Sequence, residues 1–311
     1  MNRPPVLKER TDTIMLDRMN VKFKNYSMFT DFERVYSFFQ DNYVHHLRNG
    51  HWSCSAWAYA HGLPWFDFVR HYKIGLWEEN GKIVGLCTYE ARPGEAFIFT
   101  ANGYEHMKPE LLEYAEESLC DIAENGNKTL KVSACTVEPD FSEHLLSKGY
   151  TLDWECDFTV YDYKKGLPKS DPLEGFRIIS FDEEHEYKKA ADAVWKGFDH
   201  EDENDLDGYM LGHHIPHFRK DLLFIAKADN GDYCAYGLIW LDEVNKYAYL
   251  EPLSTVPQYR RKGLAKALIY EAINRTSKLG ATYMVGGDAK FYKDIGFETQ
   301  YVIRHYRKVW R

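Results

Sequence analysis

No apolar run in this 311-residue sequence approaches the ~20 residues that a membrane-spanning helix needs. The opening stretch, Met1 to Thr13, has no apolar segment of the kind a secretion signal carries. Six cysteines (Cys54, Cys87, Cys120, Cys135, Cys156, Cys234) are scattered with no CxxC pair. That spacing argues against a zinc site or a disulfide framework and for reduced thiols in a cytoplasmic protein. Positive charge is also short: 39 Lys and Arg face 48 Asp and Glu, for a formal net charge of −9. Such a surface repels a phosphate backbone, and no nucleic-acid-binding motif offsets it. What the chain does have is 44% hydrophobic and 16% aromatic residues, enough for well-packed cores. Its length exceeds the usual size of one core, so two domains are expected.

The second strong feature is an internal repeat. From Tyr72 to Tyr161 the pattern gives a strand, a turn at Asn80-Gly81, strands IVGLCTYEA and AFIFT, a helix, strand TLKVSA, a helix running into LLSKGY, and a final strand. From Leu222 to Val309 the order recurs: LLFIAKA, a turn at Asn230-Gly231, CAYGLIWL, YAYLEPLSTV, a helix, TYMVGG, FYKDIGF and YVIRHYRKV. Asn-Gly suits short hairpin loops because a positive φ costs little there. Gly85 and Gly237 lie 152 positions apart, Gly149 and Gly296 lie 147 apart, and so steady an offset indicates a duplicated domain. Amphipathic helices open each half, around Arg34–Phe39 and Tyr187–Trp195. The expected plan is two domains, 1–165 and 174–311, joined by a Pro- and Gly-rich linker at 166–173. Each is an α/β unit with a mixed, largely antiparallel sheet flanked by helices.

The stretch YAYLEPLSTVPQYRRKGLAKALIYEAI, Tyr247 to Ile273, parses as strand, basic turn and helix. Leu264, Ala267, Leu268, Ala272 and Ile273 form the apolar stripe of that helix, which ends near Gly280. Its first turn presents free N–H groups and the positive end of the helix dipole beside Arg260, Arg261 and Lys262. Three cations there are unfavourable unless an anion offsets them, and a pyrophosphate does so. Gly263 and Ala265 keep bulk away from its oxygens.

Arg260-x-x-Gly263-x-Ala265 resembles the R/Q-x-x-G-x-G/A signature of the GNAT N-acetyltransferases. Val256–Tyr259 before it and Phe291-Tyr292-Lys293-Asp294-Ile295-Gly296-Phe297 after the next strand resemble the flanks seen in that family. The chain is similar to tandem GNAT proteins. The resemblance implies acetyl-CoA as cosubstrate, no metal, and a small-molecule primary amine as acceptor. Arg260, Arg261, Lys262, Gly263, Leu264 and Ala265 would hold the pyrophosphate. Leu253, Ser254 and Thr255 would hold the pantetheine arm on a splayed strand, with an N–H near Leu253 serving the oxyanion. Pro252, lacking an N–H, fits a break in strand pairing. Glu251 takes the place of the family's general base and Tyr292 that of the acid on the leaving thiolate. A strand-end glutamate is equally at home in solvent, and pattern alone does not separate the two. Asp288 stands where relatives often carry an asparagine on CoA.

Aligning Tyr104 on Tyr259 puts Glu105, Lys108 and Glu110 in place of Arg260, Gly263 and Ala265. Acidic side chains at a helix start repel an anion, so the first half reads as a scaffold without CoA. The segment Asp199–Asp207 holds six carboxylates; it suits a solvated loop or an entry for a cationic acceptor. His213 and His217 have a spacing metal ligands use, but Pro216 interrupts the helix this would need. The run Trp52–Ala60 is expected to pack on the first sheet. The alternative from another class is a non-catalytic CoA-binding or protein-binding module on the same fold.

Overall fold

The computed structural model describes residues 20–122, 125–169 and 172–310. The opening stretch read for a secretion signal, and Ser170 and Asp171 of the linker, lie outside the described residues. The first half runs β1 (Val21–Asn25), α1 (Met28–Asp41), α2 (Cys54–His61), β2 (Gly75–Glu79), β3 (Lys82–Thr88), β4 (Glu95–Thr100), α3 (Lys108–Ser118), a short β5 (Asp121–Ile122), β6 (Lys128–Cys135), α4 (Pro139–Ser147) and β7 (Thr151–Asp162). The second runs β8 (Phe176–Ser180), α5 (Tyr187–Gly197), α6 (Leu206–Gly212), β9 (Leu223–Ala228), β10 (Tyr233–Asp242), β11 (Tyr247–Thr255), α7 (Leu264–Lys278), β12 (Tyr283–Gly286), α8 (Lys290–Asp294) and β13 (Glu298–Trp310).

The two Asn-Gly turns differ in detail. Asn80 and Gly81 both have left-handed φ, 50° and 79°, and make a two-residue loop between Glu79 and Lys82. In the second turn only Gly231 is left-handed, at 89°. There the Asn230 side chain accepts the Asp232 N–H at 3.1 Å, and the loop grows by one residue.

The mixed α/β architecture matches the expectation from sequence, but the strands do not form one sheet per half. They form a single 13-stranded sheet in the order β1-β2-β3-β4-β6-β13-β7-β12-β11-β10-β9-β8, with β5 beside β6. The order is palindromic in the repeat. Each half lacks one interior strand and takes it from the other, so β13 sits between β6 and β7, and β7 between β12 and β13. The exchange follows from length: β7 and β13 have 12 and 13 residues. They pair with each other antiparallel from Glu298↔Val160 to Arg307↔Thr151, and each has a neighbour on its far side. Neither half is left with an open inner edge there.

In the second half the sheet separates two layers, as period-2 alternation requires. Phe224, Ala226, Ile239, Ala248 and Leu250 pack with Leu264, Leu268 and Ala272 of α7. Leu223, Ile225, Tyr236, Leu238 and Trp240 pack on the other side with Ala190 and Ala193 of α5 and with first-half residues including Trp57 and Ala60 of α2. The Trp52–Ala60 run therefore does more than cover the first sheet. Cys54 donates to Asp242 at 3.4 Å, and the Tyr43 hydroxyl bonds that of Tyr283 at 2.8 Å. The first half is a wall of the second. Among the described residues no helix is long and apolar enough to cross a membrane.

Candidate active site

Strand β11 organises the site. Its parallel pairing with β12 covers only Tyr247–Tyr249 against Tyr283–Val285, whereas pairing with β10 continues to Thr255. Beyond Tyr249 the β12 side of β11 is open, the splay expected at Pro252. On the β10 side, Gly237 faces Leu253 but Ile239 faces Leu250, so Glu251 and Pro252 together oppose Leu238. This is a β-bulge, and a bulge changes the phase of the side chains that follow it. Glu251 lines the cavity on the α5 side, while Leu253, two residues on, packs on the α7 side.

The Val256 N–H bonds the Cys234 carbonyl at 3.0 Å. By antiparallel alternation Leu253 and Thr255 turn their backbone groups toward the open edge, and Ser254 turns its own toward Tyr236. Of the three positions expected to hold a pantetheine arm, two therefore face the gap and Ser254 does not. The Ser254 hydroxyl is buried and lacks a hydrogen-bond partner among the described residues, lying where a Cβ on Gly197 would meet it at 2.4 Å. The Thr255 carbonyl is taken by Arg260 Nε at 3.0 Å, which leaves its N–H to the gap.

The basic loop follows. Gly263 is the N-cap of α7 with φ 79°, and a Cβ built there would find nothing within 4 Å. Only glycine adopts that φ without strain. The first intrahelical bond runs from the Ala267 N–H to the Gly263 carbonyl at 3.0 Å, so the Leu264 and Ala265 amides precede it. The Leu264 side chain is buried, and only its backbone is available to a ligand. Arg260 is a clamp: besides Thr255 it donates to the Gly197 carbonyl at 3.0 Å and to Asp199 at 2.8 Å. Arg261 is exposed with φ 65°. Lys262 Nζ lies 5.3 and 5.4 Å from the ring centres of Phe176 and Tyr259.

In the first half the matching loop is filled from within. Lys108 pairs with Glu138, Glu110 accepts from Trp77 Nε1 at 3.0 Å, and Glu105 accepts from the Gly103 N–H at 2.9 Å.

On the α5 side of the bulge lies a cavity of about 610 Å³. Its wall comes from β10, α5, α6 and the segment Tyr59–Trp65 of the first half, with Glu251 and Pro252 at the strand. Burial pushes the Glu251 carboxyl up to about 7, the nearby Glu90 charge adds to this, and the Tyr59 hydroxyl donating to it acts against it. Glu90 is itself pushed up to about 7, by burial and by Glu95. Tyr292 on α8 is raised by burial and by the fields of Glu251 and Asp288. Its ring lies where a Cβ on Gly287 would come within 2.6 Å, so that glycine admits it. Tyr249 feels Glu251, Glu90 and Tyr292.

Tyr292 thus lies in the field of Glu251, and Tyr59 and Glu90 of the first half act on Glu251 as well. The sequence points to the first half as a wall of the acceptor pocket but does not single out these two residues, because no local pattern records which side chains reach across the interface. One signal was present: Glu90 lies 152 positions before Asp242. Asp242 is buried between the halves and accepts from Gln40 at 2.9 Å.

Of the remaining candidates, Asp205 and His213 line the same cavity as Glu251. Of the carboxylates in Asp199–Asp207, Asp199 is paired with Arg260 and Asp205 caps α6 through the Gly208 N–H at 3.0 Å. His213 and His217 are apart in role. His213 is buried beside Tyr209 and Phe218, its pKa pushed down to about 4 by that burial. His217 stacks on Tyr36 at 3.7 Å. Among the described residues no group of three His, Cys, Asp or Glu is placed to hold a metal ion.

Residues 181–297 match the Acetyltransferase (GNAT) family. No curated protein sequence matches the chain significantly. Solved structures do. A GCN5-related N-acetyltransferase from Sphaerobacter thermophilus superposes with TM-score 0.62 at 12% identity, covering 93% of this chain and 95% of that one. A tandem GNAT protein from the clavulanic acid biosynthesis pathway gives 0.56 at 10% identity, covering 93% and 98%. N-myristoyltransferase from Saccharomyces cerevisiae, with bound myristoyl-CoA and inhibitors, gives 0.55 at 13% identity, covering 94% and 81%. At such identities the likeness is one of fold. The splayed strand, the basic loop and the match of residues 181–297 to the acetyltransferase (GNAT) family fall on the same segment.

Proposed function

We propose that the chain is a cytoplasmic N-acetyltransferase that moves an acetyl group from acetyl-CoA to the primary amine of a small molecule by direct attack. The observation that carries this reading is the position of Glu251. It stands at a bulge, at the floor of the cavity and beside the unpaired edge of β11, with an ordinary value of 4.5 pushed up to about 7. Two approaches meet there. The α7 terminus and the outward amides of Leu253 and Thr255 serve the CoA side, and the cavity on the opposite face serves the amine.

In the reaction the acceptor ammonium gives a proton to the Glu251 carboxylate, directly or through water, and the neutral nitrogen attacks the thioester carbon. The new C–N bond leaves an oxyanion that accepts the Leu253 N–H. Collapse breaks the C–S bond, and the Tyr292 hydroxyl, held protonated by burial, gives its proton to the departing thiolate. The nitrogen of the adduct releases its second excess proton to water, and the products are an amide and CoA thiol. Tyr292 is then reprotonated from solvent, and Glu251 releases its proton there.

Residues 174–311 carry the donor site and residues 1–165 act as a scaffold that closes the acceptor cavity, with 166–173 between them. Six free cysteines suit a reducing compartment. The test is thiol release from acetyl-CoA across a panel of primary amines. Turnover with at least one is expected; CoA binding with no release for any amine would make the chain a binding module.

A further inference from the structure

The cavity beside Glu251 has a chemical character of its own. At about 610 Å³ it lies within the range that holds a drug-sized ligand, far more than a methylamine requires. Its rings come from both halves: Tyr59 and Trp65 from the first, and Trp195, Tyr236 and Trp240 from the second. Aliphatic groups such as Leu63, Leu238 and Ile215 fill the intervals. Ionised partners are few. Besides Glu251 the lining carboxylate is Asp205, whose side chain already accepts the Gly208 N–H. At the rim Trp65 and Phe198 remain 55% and 50% exposed, one from each half. Large apolar side chains left in water around a pocket mark a surface made to be covered.

We propose that the acceptor is a primary amine on a bulky apolar body, aromatic or polycyclic, and that this body fills the cavity while the amine reaches Glu251. The inference rests on the acetyl-transfer reading above and narrows it. Charge supports one cation: Glu251, with Glu90 behind it, receives a single ammonium. A polyamine would bring further ammonium groups into a cavity whose lining carboxylates are Glu251 and the already bonded Asp205, where burial of a charge without a partner is unfavourable. The sheet separates this occupant from the donor. The basic loop and α7 lie on the opposite face, so the cavity is on the acceptor's side of the thioester. A body of two fused rings would displace water from the aromatic wall and cover Trp65 and Phe198.

The test compares 2-naphthylethylamine, butylamine, spermidine and lysine by thiol release from acetyl-CoA. In parallel, binding of the naphthyl amine is followed by fluorescence of the tryptophans that line the cavity. The naphthyl amine is expected to exceed spermidine, lysine and butylamine in kcat/KM by at least about tenfold. Trp65→Ala, on an exposed loop, is expected to reduce that advantage about tenfold, chiefly through KM. Spermidine or lysine turned over as well as the naphthyl amine, without saturable naphthyl binding, would overturn this inference and leave acetyl transfer standing. Saturable naphthyl binding that Trp65→Ala weakens, with no thiol released, would support the apolar site and overturn acetyl transfer. An advantage unchanged in Trp65→Ala would overturn the assignment of the cavity.

Discussion

Replacing Glu251 by Gln should make the protein more stable and nearly inactive, with a pH dependence that identifies the cause. In the fold this carboxyl titrates near 7 against an ordinary 4.5, chiefly because it is buried and also because Glu90 faces it. A raised carboxyl pKa means that the folded state binds the proton more tightly than the unfolded state. Below about pH 4.5 both states are protonated and the residue adds nothing. As pH rises to 7 the native protein holds a proton that the unfolded chain has released, so stability falls by ~1.4 kcal/mol per pH unit. The loss levels off above pH 7 at about 3 kcal/mol. Glutamine is uncharged throughout and escapes it. The difference in Tm between E251Q and the parent should therefore be small at pH 4.5, grow to pH 7 and stay constant to pH 9. For a chain of this size ~3 kcal/mol corresponds to roughly 5 °C. Over the same range kcat/KM of the variant should be down 10²- to 10⁴-fold, the usual value of a general base. A Tm difference that does not change with pH would refute the buried-carboxylate argument. A kcat/KM within threefold of the parent would refute the assignment of the base.

Three further outcomes follow from the same geometry. Glu90→Gln removes a charge that raises Glu251, so the rising limb of the kcat/KM–pH profile should move to lower pH; a midpoint that stays or rises would separate the two carboxylates. Tyr292→Phe should lower kcat about 10²-fold with KM for acetyl-CoA little changed, measured by steady-state thiol release. Gly263→Glu should weaken acetyl-CoA binding at least about 10²-fold by calorimetry, because it brings an anion to the α7 terminus. Gly263→Ala is its control, since the space is open and only the φ of 79° opposes it; the strain costs about 1 kcal/mol.

The sequence by itself determined the order of elements, the repeat, and the segment that carries the donor loop. These are local properties. Alternation in YAYLEPLSTV, the apolar stripe of Leu264–Ile273 and the glycine at 263 act through neighbours a few residues away, so a linear reading reaches them. Glu251 and Tyr292 came with the family pattern, and in the structure Tyr292 lies in the field of Glu251. Tertiary structure alone decided the rest. The exchange of β7 and β13 depends on pairing between segments about 150 residues apart, and no periodicity records which strand lies beside which. The bulge at Glu251–Pro252 is a property of β10 and β11 together. The same holds for the turn of Ser254 away from the gap and for Arg260 closing on Gly197 and Asp199. Above all, the chemical state of Glu251 is set first by its burial and then by Glu90, with Tyr59 acting against them, and Glu90 and Tyr59 reach it only because the first half is folded against the second. A pKa depends on what surrounds a group in space, and in this chain those surroundings come from the other half of the sequence.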